Sequence, residues 1–316
     1  MVRLPHTGHV EFDYSCIRHA RSLISNMSGI ALTSDWAWTV SDEGRTFEHF
    51  RRFKDRYLLI DQYELDDFFP DLPHGEADLE AIDLHGASLW LCGSHSSLAL
   101  SGKGEVEPEK KPSRRLFGAI ALSDRGHPTN KAFCLPFQGR GSLRHILGSH
   151  PLLSGSLALP CKGGGLDIEG IVVSDDVVCY GLRGPLVNGL AVLAFVGRQG
   201  PFGLPGGEPK LVLLDLGGLG IRDLCRYGSS LLVLAGPAMD AEGPFRLYRR
   251  SGGIEGASSL QLMHDFKNGV GHPEGLAIVQ KPEGAGLIVV YDKPSRTRVE
   301  GNSVWGDQFE LPQLFG

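Results

Sequence analysis

The stretch Asp167-Ile168-Glu169-Gly170-Ile171-Val172-Val173, then Ser174-Asp175-Asp176, then Val177-Val178-Cys179-Tyr180-Gly181-Leu182-Arg183, decides how the chain is read. Two aliphatic runs rich in β-branched residues flank a short polar triplet, which is the pattern of an antiparallel hairpin closed by a tight turn. Such a hairpin brings its outer ends together, so Glu169 and Arg183 share one end of the pair. One hairpin would not specify a fold, but this one recurs.

Before it, Ser28-Gly29-Ile30-Ala31-Leu32 turns at residues 33–35 into Trp36-Ala37-Trp38-Thr39-Val40 and ends at Ser41-Asp42-Glu43. Residues 79–84 turn at His85-Gly86-Ala87 into residues 88–96. After it, residues 221–224 turn at Tyr227-Gly228 into 231–237, and 273–278 pass a longer loop at 281–285 into 287–292. Alternating or apolar segments supply two more strands to most units: 47–53 and 57–63, 116–122 and 132–137, 190–196 and 210–216, 245–249 and 260–266. The last hairpin has one such segment, near 308–311, and residues 9–14 stand alone at the start as the strand that would complete it.

With Ser28, Glu80, Glu169, Arg222 and Glu274 taken as equivalent, the intervals are 52, 89, 53 and 52 residues. Four strands in a period near fifty is a propeller signature, so the expected fold is all-β, a single β-propeller of four-stranded blades. The long interval holds either one enlarged blade or a concealed sixth, and five blades fit better because only two outer strands can be traced in it. The sequence thus reads as one domain over 1–316 with an irregular insertion around 101–165. Residues 101–115, charged and proline-containing, read as a surface loop, and Lys162-Gly163-Gly164-Gly165 as a flexible connector lacking the ending of a phosphate loop.

Composition narrows the class. In 316 residues, 43 glycines and 19 prolines supply turns while 41% hydrophobic residues supply a core. A formal net charge of -6 argues against a nucleic-acid or anionic-membrane surface. The six cysteines lack the close pairing of a zinc site and read as free thiols, which together with the absence of an apolar leader makes the cytoplasm the expected compartment.

Ser41-Asp42-Glu43, Gly93-Ser94-His95-Ser96, Ile168-Glu169-Gly170, Gly181-Leu182-Arg183-Gly184-Pro185, Gly220-Ile221-Arg222-Asp223 and Pro273-Glu274-Gly275 together resemble a bacterial β-propeller family known only as a domain of unknown function. The resemblance covers nearly the whole chain and implies a propeller without an activity. A Glu-Gly step opening an inner strand is also similar to phytase-like esterase propellers.

If the first strand of each repeat is innermost, the hairpin ends converge on one mouth of the central channel. That gathers Asp42, Glu43, Glu80, His95, Glu169, Arg183, Arg222, Asp223, Glu274 and Asp292. Crowded carboxylates demand a cation or raised pKa values, so Glu43, Glu80, Glu169 and Glu274 are expected to hold a divalent cation, Ca²⁺ or Mg²⁺. Asp42, Arg183, Arg222, Asp223 and Asp292 are the expected ligand-binding set, with the arginines gripping a small anionic ligand. His95, Glu169 and Arg183 form the catalytic set. His95 is favoured for proton transfer because an imidazole titrates near neutrality, Ser94 is a weaker nucleophile candidate, and His272 is a second proton-transfer candidate. The expected function is hydrolysis of a small anionic ester, such as a phosphoester, and the alternative is a propeller that only binds a ligand or protein segment there. The plainer reading of Glu169 with Arg183, and of Glu80 with His95, is an ion pair tying neighbouring blades.

Overall fold

A computed structural model describes residues 3–17, 20–99, 108–199, 203–239, 241–252, 259–269, 271–281 and 284–313. Strands dominate, and they fall into five four-stranded units among the described residues. The first blade is Met27–Leu32, Trp36–Ser41, Thr46–Phe53 and Arg56–Glu64. The second is Leu79–His85, Ser88–Gly93, Phe117–Leu122 and Pro128–Cys134. The third is Asp167–Val173, Val177–Val187, Leu190–Gln199 and Lys210–Leu214. The fourth is Gly220–Tyr227, Ser230–Gly236, Arg246–Arg250 and Leu260–Asp265. The fifth takes His272–Lys281, Gly284–Asp292 and Ser303–Leu311 from the end of the chain and His6–Asp13 from its start.

The innermost strands pack in a ring, first on second, second on third, third on fourth, fourth on fifth and fifth on first. The ring shuts where His6–Asp13 pairs antiparallel with Ser303–Leu311, the role expected of the isolated early strand. The same strand also pairs in parallel with Arg56–Glu64, which fuses the fifth and first blades into one sheet.

There is no single core. Each blade is apolar on both faces, and an apolar cluster fills each of the five seams. Strand Ser230–Gly236 shows the logic: Leu231, Val233 and Ala235 pack with Val172, Cys179 and Leu193 of the third blade, while Leu232 and Leu234 pack with Leu276, Leu287 and Val289 of the fifth. Strict alternation sends successive side chains to opposite neighbours, which is why the inner strands read as continuous hydrophobic runs.

Several local expectations need correction. The long interval holds a two-stranded ribbon, Ser97–Ala99 with Pro108–Lys110, the outer half of the second blade, and then helices Leu143–Gly148 and Pro151–Ser154, and no sixth four-stranded unit occurs among the described residues, in line with the favoured count of five. Its last strand begins at Pro128, ahead of the expected residue 132. The stretch 162–165 is not a flexible connector: Cys161–Gly163 forms a 3-10 turn, and a Cβ on Gly165 would lie 2.2 Å from the Leu159 carbonyl. Residues 101–107 of the expected loop lie outside the described residues. The remainder is anchored, with Pro108–Lys110 paired to Ser97–Ala99 and Ser113 buried. All six cysteines are free, as expected, and among the described residues no helix is long and apolar enough to cross a membrane.

Candidate functional site

In every blade the innermost hairpin slips register by one residue near its channel end. The slips fall between Met27 and Gly29, Leu79 and Ala81, Ile168 and Gly170, Ile221 and Asp223, and Pro273 and Gly275. The residues left over are Ser28, Glu80, Glu169, Arg222 and Glu274, the five positions equated from sequence. A β-bulge removes one residue from the ladder and re-aims its side chain, and bulges of this kind gather beside active sites. The glycine that follows in three blades has a steric cause. A Cβ on Gly170 would stand 2.8 Å from the Leu224 nitrogen, and one on Gly275 would stand 3.2 Å from Gly29 Cα. Neighbouring inner strands therefore approach closely just behind the bulge.

Four of the five bulged residues, Ser28, Glu80, Arg222 and Glu274, line one cavity of about 480 Å³ together with Asp42, Arg183, His272, Asp292 and Lys293. Glu169 lies beneath it, 1% exposed, between two arginines. Arg183 Nη1 donates to Glu169 Oε1 at 3.0 Å, and Arg222 Nε stands 2.9 Å from Glu169 Oε2. Arg222 also grips Glu274 with two nitrogens, Nε donating to Oε2 at 2.9 Å and Nη2 to Oε1. The floor is thus a closed chain, Arg183-Glu169-Arg222-Glu274. Burial alone would lower Arg222, but Glu169 and Glu274 hold it above its ordinary value.

The remaining carboxyls divide. Burial, then the neighbouring Glu169, Asp78 and Asp42, pushes Glu80 well above the ordinary carboxyl range. Burial together with Asp292 and Asp78 pushes Asp42 up to about 7. Asp292 goes the other way: burial opposes its charge, but His272 and Lys293 outweigh burial and hold it low. Lys293 Nζ is 3.2 Å and His272 Nδ1 is 3.7 Å from Asp292 Oδ2. One cavity therefore holds a carboxyl whose pKa is pushed up and another whose pKa is held down.

Other expected residues are placed elsewhere. His95 is corrected as a proton carrier. It is 1% exposed, sits at φ 54°, and its Nε2 faces the Leu116 carbonyl at 3.2 Å. Burial, then Arg144, lowers it to about 3, and it does not line the cavity, so it makes no pair with Glu80. Ser94 is likewise out of reach of a substrate in the cavity: it is 1% exposed, does not line the cavity, and its hydroxyl donates to the buried Asp78. Asp223 is corrected from ligand contact to blade tie: it accepts from the amides of Leu224 at 2.7 Å and Leu276 at 2.6 Å, joining the fourth blade to the fifth. Glu43 is exposed on a different surface depression beside Arg45 and does not join the proposed metal set. Within that set, Glu169 and Glu274 are already engaged by arginine, and the four acids form no common cluster of ligand atoms among the described residues.

The sequence reading missed Asp78 and Asp167, both buried beneath the mouth. A signal existed. Each lies two residues before the bulged glutamate, and His272 occupies the same place in the fifth blade. Asp78 accepts from Arg114 Nη1 at 2.9 Å, which pins the end of the expected loop to the second blade. Lys293, one position past the fifth inner hairpin's channel end at Asp292, was also missed.

Among solved structures, an α-L-arabinofuranosidase from Podospora anserina in complex with cellotriose aligns with a TM-score of 0.54 and 12% identity, over 98% of this chain and 99% of that one. An exo-1,5-α-L-arabinanase from a bovine ruminal metagenomic library aligns with a TM-score of 0.47 and 10% identity, over 90% and 93%. The first likeness speaks for the fold alone, a β-propeller, and these similar structures are glycoside hydrolases, not phytase-like esterases. Comparison with curated proteins gives no match. Residues 26–307 match the family described as "Protein of unknown function (DUF3616)", and the chain belongs to that family.

Proposed function

We propose that this DUF3616 member is a hydrolase of a neutral, hydroxyl-rich substrate, a glycoside, bound in the cavity at the channel mouth. The observation that carries the reading is the divergence of Glu80 and Asp292 within one cavity, one raised and one lowered. Two carboxyls pushed apart in this way are suited to acid and base roles in glycoside cleavage. Glu80 would protonate the leaving-group oxygen as the glycosidic bond breaks, and Asp292 would take a proton from the attacking water. His272 and Lys293 are positioning residues that keep Asp292 ionised.

The arginine arrangement favours a neutral substrate over the anionic ester expected from sequence. Arg183 and Arg222 direct their donors at Glu169 and Glu274, so a phosphoester would have to displace an internal carboxylate. A divalent cation has one compatible set here, His272, Glu274 and Asp292, whose ligand atoms lie within 4.8 Å of one another. The closed arginine-carboxylate chain also supports a second reading, a propeller that binds a glycan without cleaving it.

A panel of aryl glycosides, including arabinofuranosides and xylosides, with phosphomonoesters and phosphodiesters in parallel, separates these readings. Glycoside turnover that falls at least about 100-fold in kcat in both Glu80→Gln and Asp292→Asn, with thermal unfolding unchanged, supports the hydrolase. Phosphoester turnover alone would refute it, and saturable glycan binding without turnover would select the second reading.

A further inference from the structure

Away from the channel, on the flank where the first blade meets the second, His49 is buried with 0% exposure and neither ring nitrogen has a hydrogen-bond partner. A buried polar atom without a partner forfeits its hydration for nothing in return, and such groups call for a ligand, an ion or a water. The ring is held in place: it stacks on Trp38 at 5.1 Å with planes 3° apart and lies 5.1 Å from Trp36. Its free edge looks toward His127 and Asp61. Asp61 is the cross-strand neighbour of His49 between Thr46–Phe53 and Arg56–Glu64. His127 comes from the turn between the two outer strands of the second blade, where Gly126 packs closely on Trp36.

One ligand atom from each of His49, Asp61 and His127 lies within 4.8 Å of the other two. We propose that these three side chains bind a divalent transition-metal ion of the zinc class, clamping the outer part of the first blade to the second. Two imidazoles and one carboxylate suit such an ion, whereas Ca²⁺ and Mg²⁺ take oxygen ligands. The second shell is in place as well. The Tyr63 hydroxyl is 3.3 Å from Asp61 Oδ2 and 3.1 Å from His127 Nδ1, where it orients both ligands or supplies a fourth. The side chains of His127 and Asp61 are 43% and 46% exposed, so an ion reaches the site from solvent without opening the fold.

The test is calorimetric titration of chelator-stripped, full-length protein with Zn²⁺, repeated with Co²⁺ while its visible absorption is recorded. One saturable site is expected, with a thermal unfolding temperature at saturation higher by at least about 3 °C. His127→Ala, a change in an exposed turn, and Asp61→Asn should each weaken Zn²⁺ at least about tenfold without altering unfolding of the metal-free protein. His9→Ala and His272→Ala, at the two other histidine-carboxylate clusters among the described residues, should leave that site unchanged. Absence of binding, or binding that survives His127→Ala or is lost in His9→Ala or His272→Ala, overturns the proposal and leaves a water as the partner of His49.

Discussion

Replacing Glu169 by alanine tests whether the floor of the channel mouth is a buried ionic chain or a hydrated surface. Its carboxylate is 1% exposed and meets Arg183 on one side and Arg222 on the other. Truncation removes a partner from one buried cation, Arg222, and one partly buried cation, Arg183, and breaking a buried pair from one side costs about 3–5 kcal/mol. Two features place this case near the lower limit. Arg222 keeps Glu274, while Arg183 keeps the Pro237 carbonyl at 3.3 Å and Asp167 at 3.9 Å. Moreover, Glu169 is the chief charge raising Asp167, after burial, so its removal eases ionisation of Asp167 beside Arg183 although burial still opposes it. A loss of about 3 kcal/mol is expected for alanine, and about 2 kcal/mol for Glu169→Gln, which retains an acceptor oxygen. Urea titration at neutral pH measures both. Because the chain is sequestered, the loss should persist in about 0.5 M salt. A loss below about 1 kcal/mol, or one abolished by salt, would refute the argument, since those are the marks of a solvated pair.

Two further outcomes concern stability. Burial pushes Glu48 up to about 7 against its ordinary 4.5, so the folded chain keeps a proton that the unfolded chain releases. Its contribution to stability therefore falls as pH rises from about 4.5 to 7, by on the order of 3 kcal/mol, and is flat above. Glu48→Gln, which keeps bonds to Thr39 and Thr46, should match the parent near pH 4.5 in denaturant titration and exceed it near pH 8; equal stability at both pH values would contradict the shift. Arg114→Ala removes partners from Asp78 and Glu76 and should cost about 2 kcal/mol, whereas a neutral result would return residues 112–115 to the status of an unanchored loop.

The repeat was legible because the seams force it. An inner strand buried on both faces must be largely apolar, and its bulged residue, polar in all five blades, lies where the strand reaches the channel. The bulge explains both the success and the failure at the site. It turns Glu80, Glu169, Arg222 and Glu274 into positions that stand out at a regular spacing, yet it reverses the facing of whatever follows. Arg222 reaches the cavity while the adjacent Asp223 points into the seam, as Asp83 does when it accepts from the amides of Leu84 and Val173. Nothing in an Arg-Asp pair announces which residue is extra. His95 misled for a related reason: its serine neighbours suggested a polar site, but its left-handed backbone turns the ring inward. Glu43 follows Asp42 at the end of its strand, and one step along the chain is enough to leave the mouth. His49 escaped notice because a single histidine in an alternating strand carries no mark of a partner 78 residues away in another blade.

The strand His6–Asp13 is made first but finds its antiparallel partner last, since His6 pairs with Phe309. As the chain grows, each blade leaves one apolar face uncovered until its successor arrives, and the first blade must wait for the fifth. During that wait the early strand has only a short parallel foothold on Arg56–Glu64, where Glu11, Phe12 and Asp13 pair with Arg56, Tyr57 and Leu58. Its docking onto Ser303–Leu311 therefore comes as a late, long-range event, of the kind that slows folding. Once docked, that strand joins the beginning of the chain to its end within one sheet, so loosening it breaks the circle of seams and exposes the fifth blade and the first together.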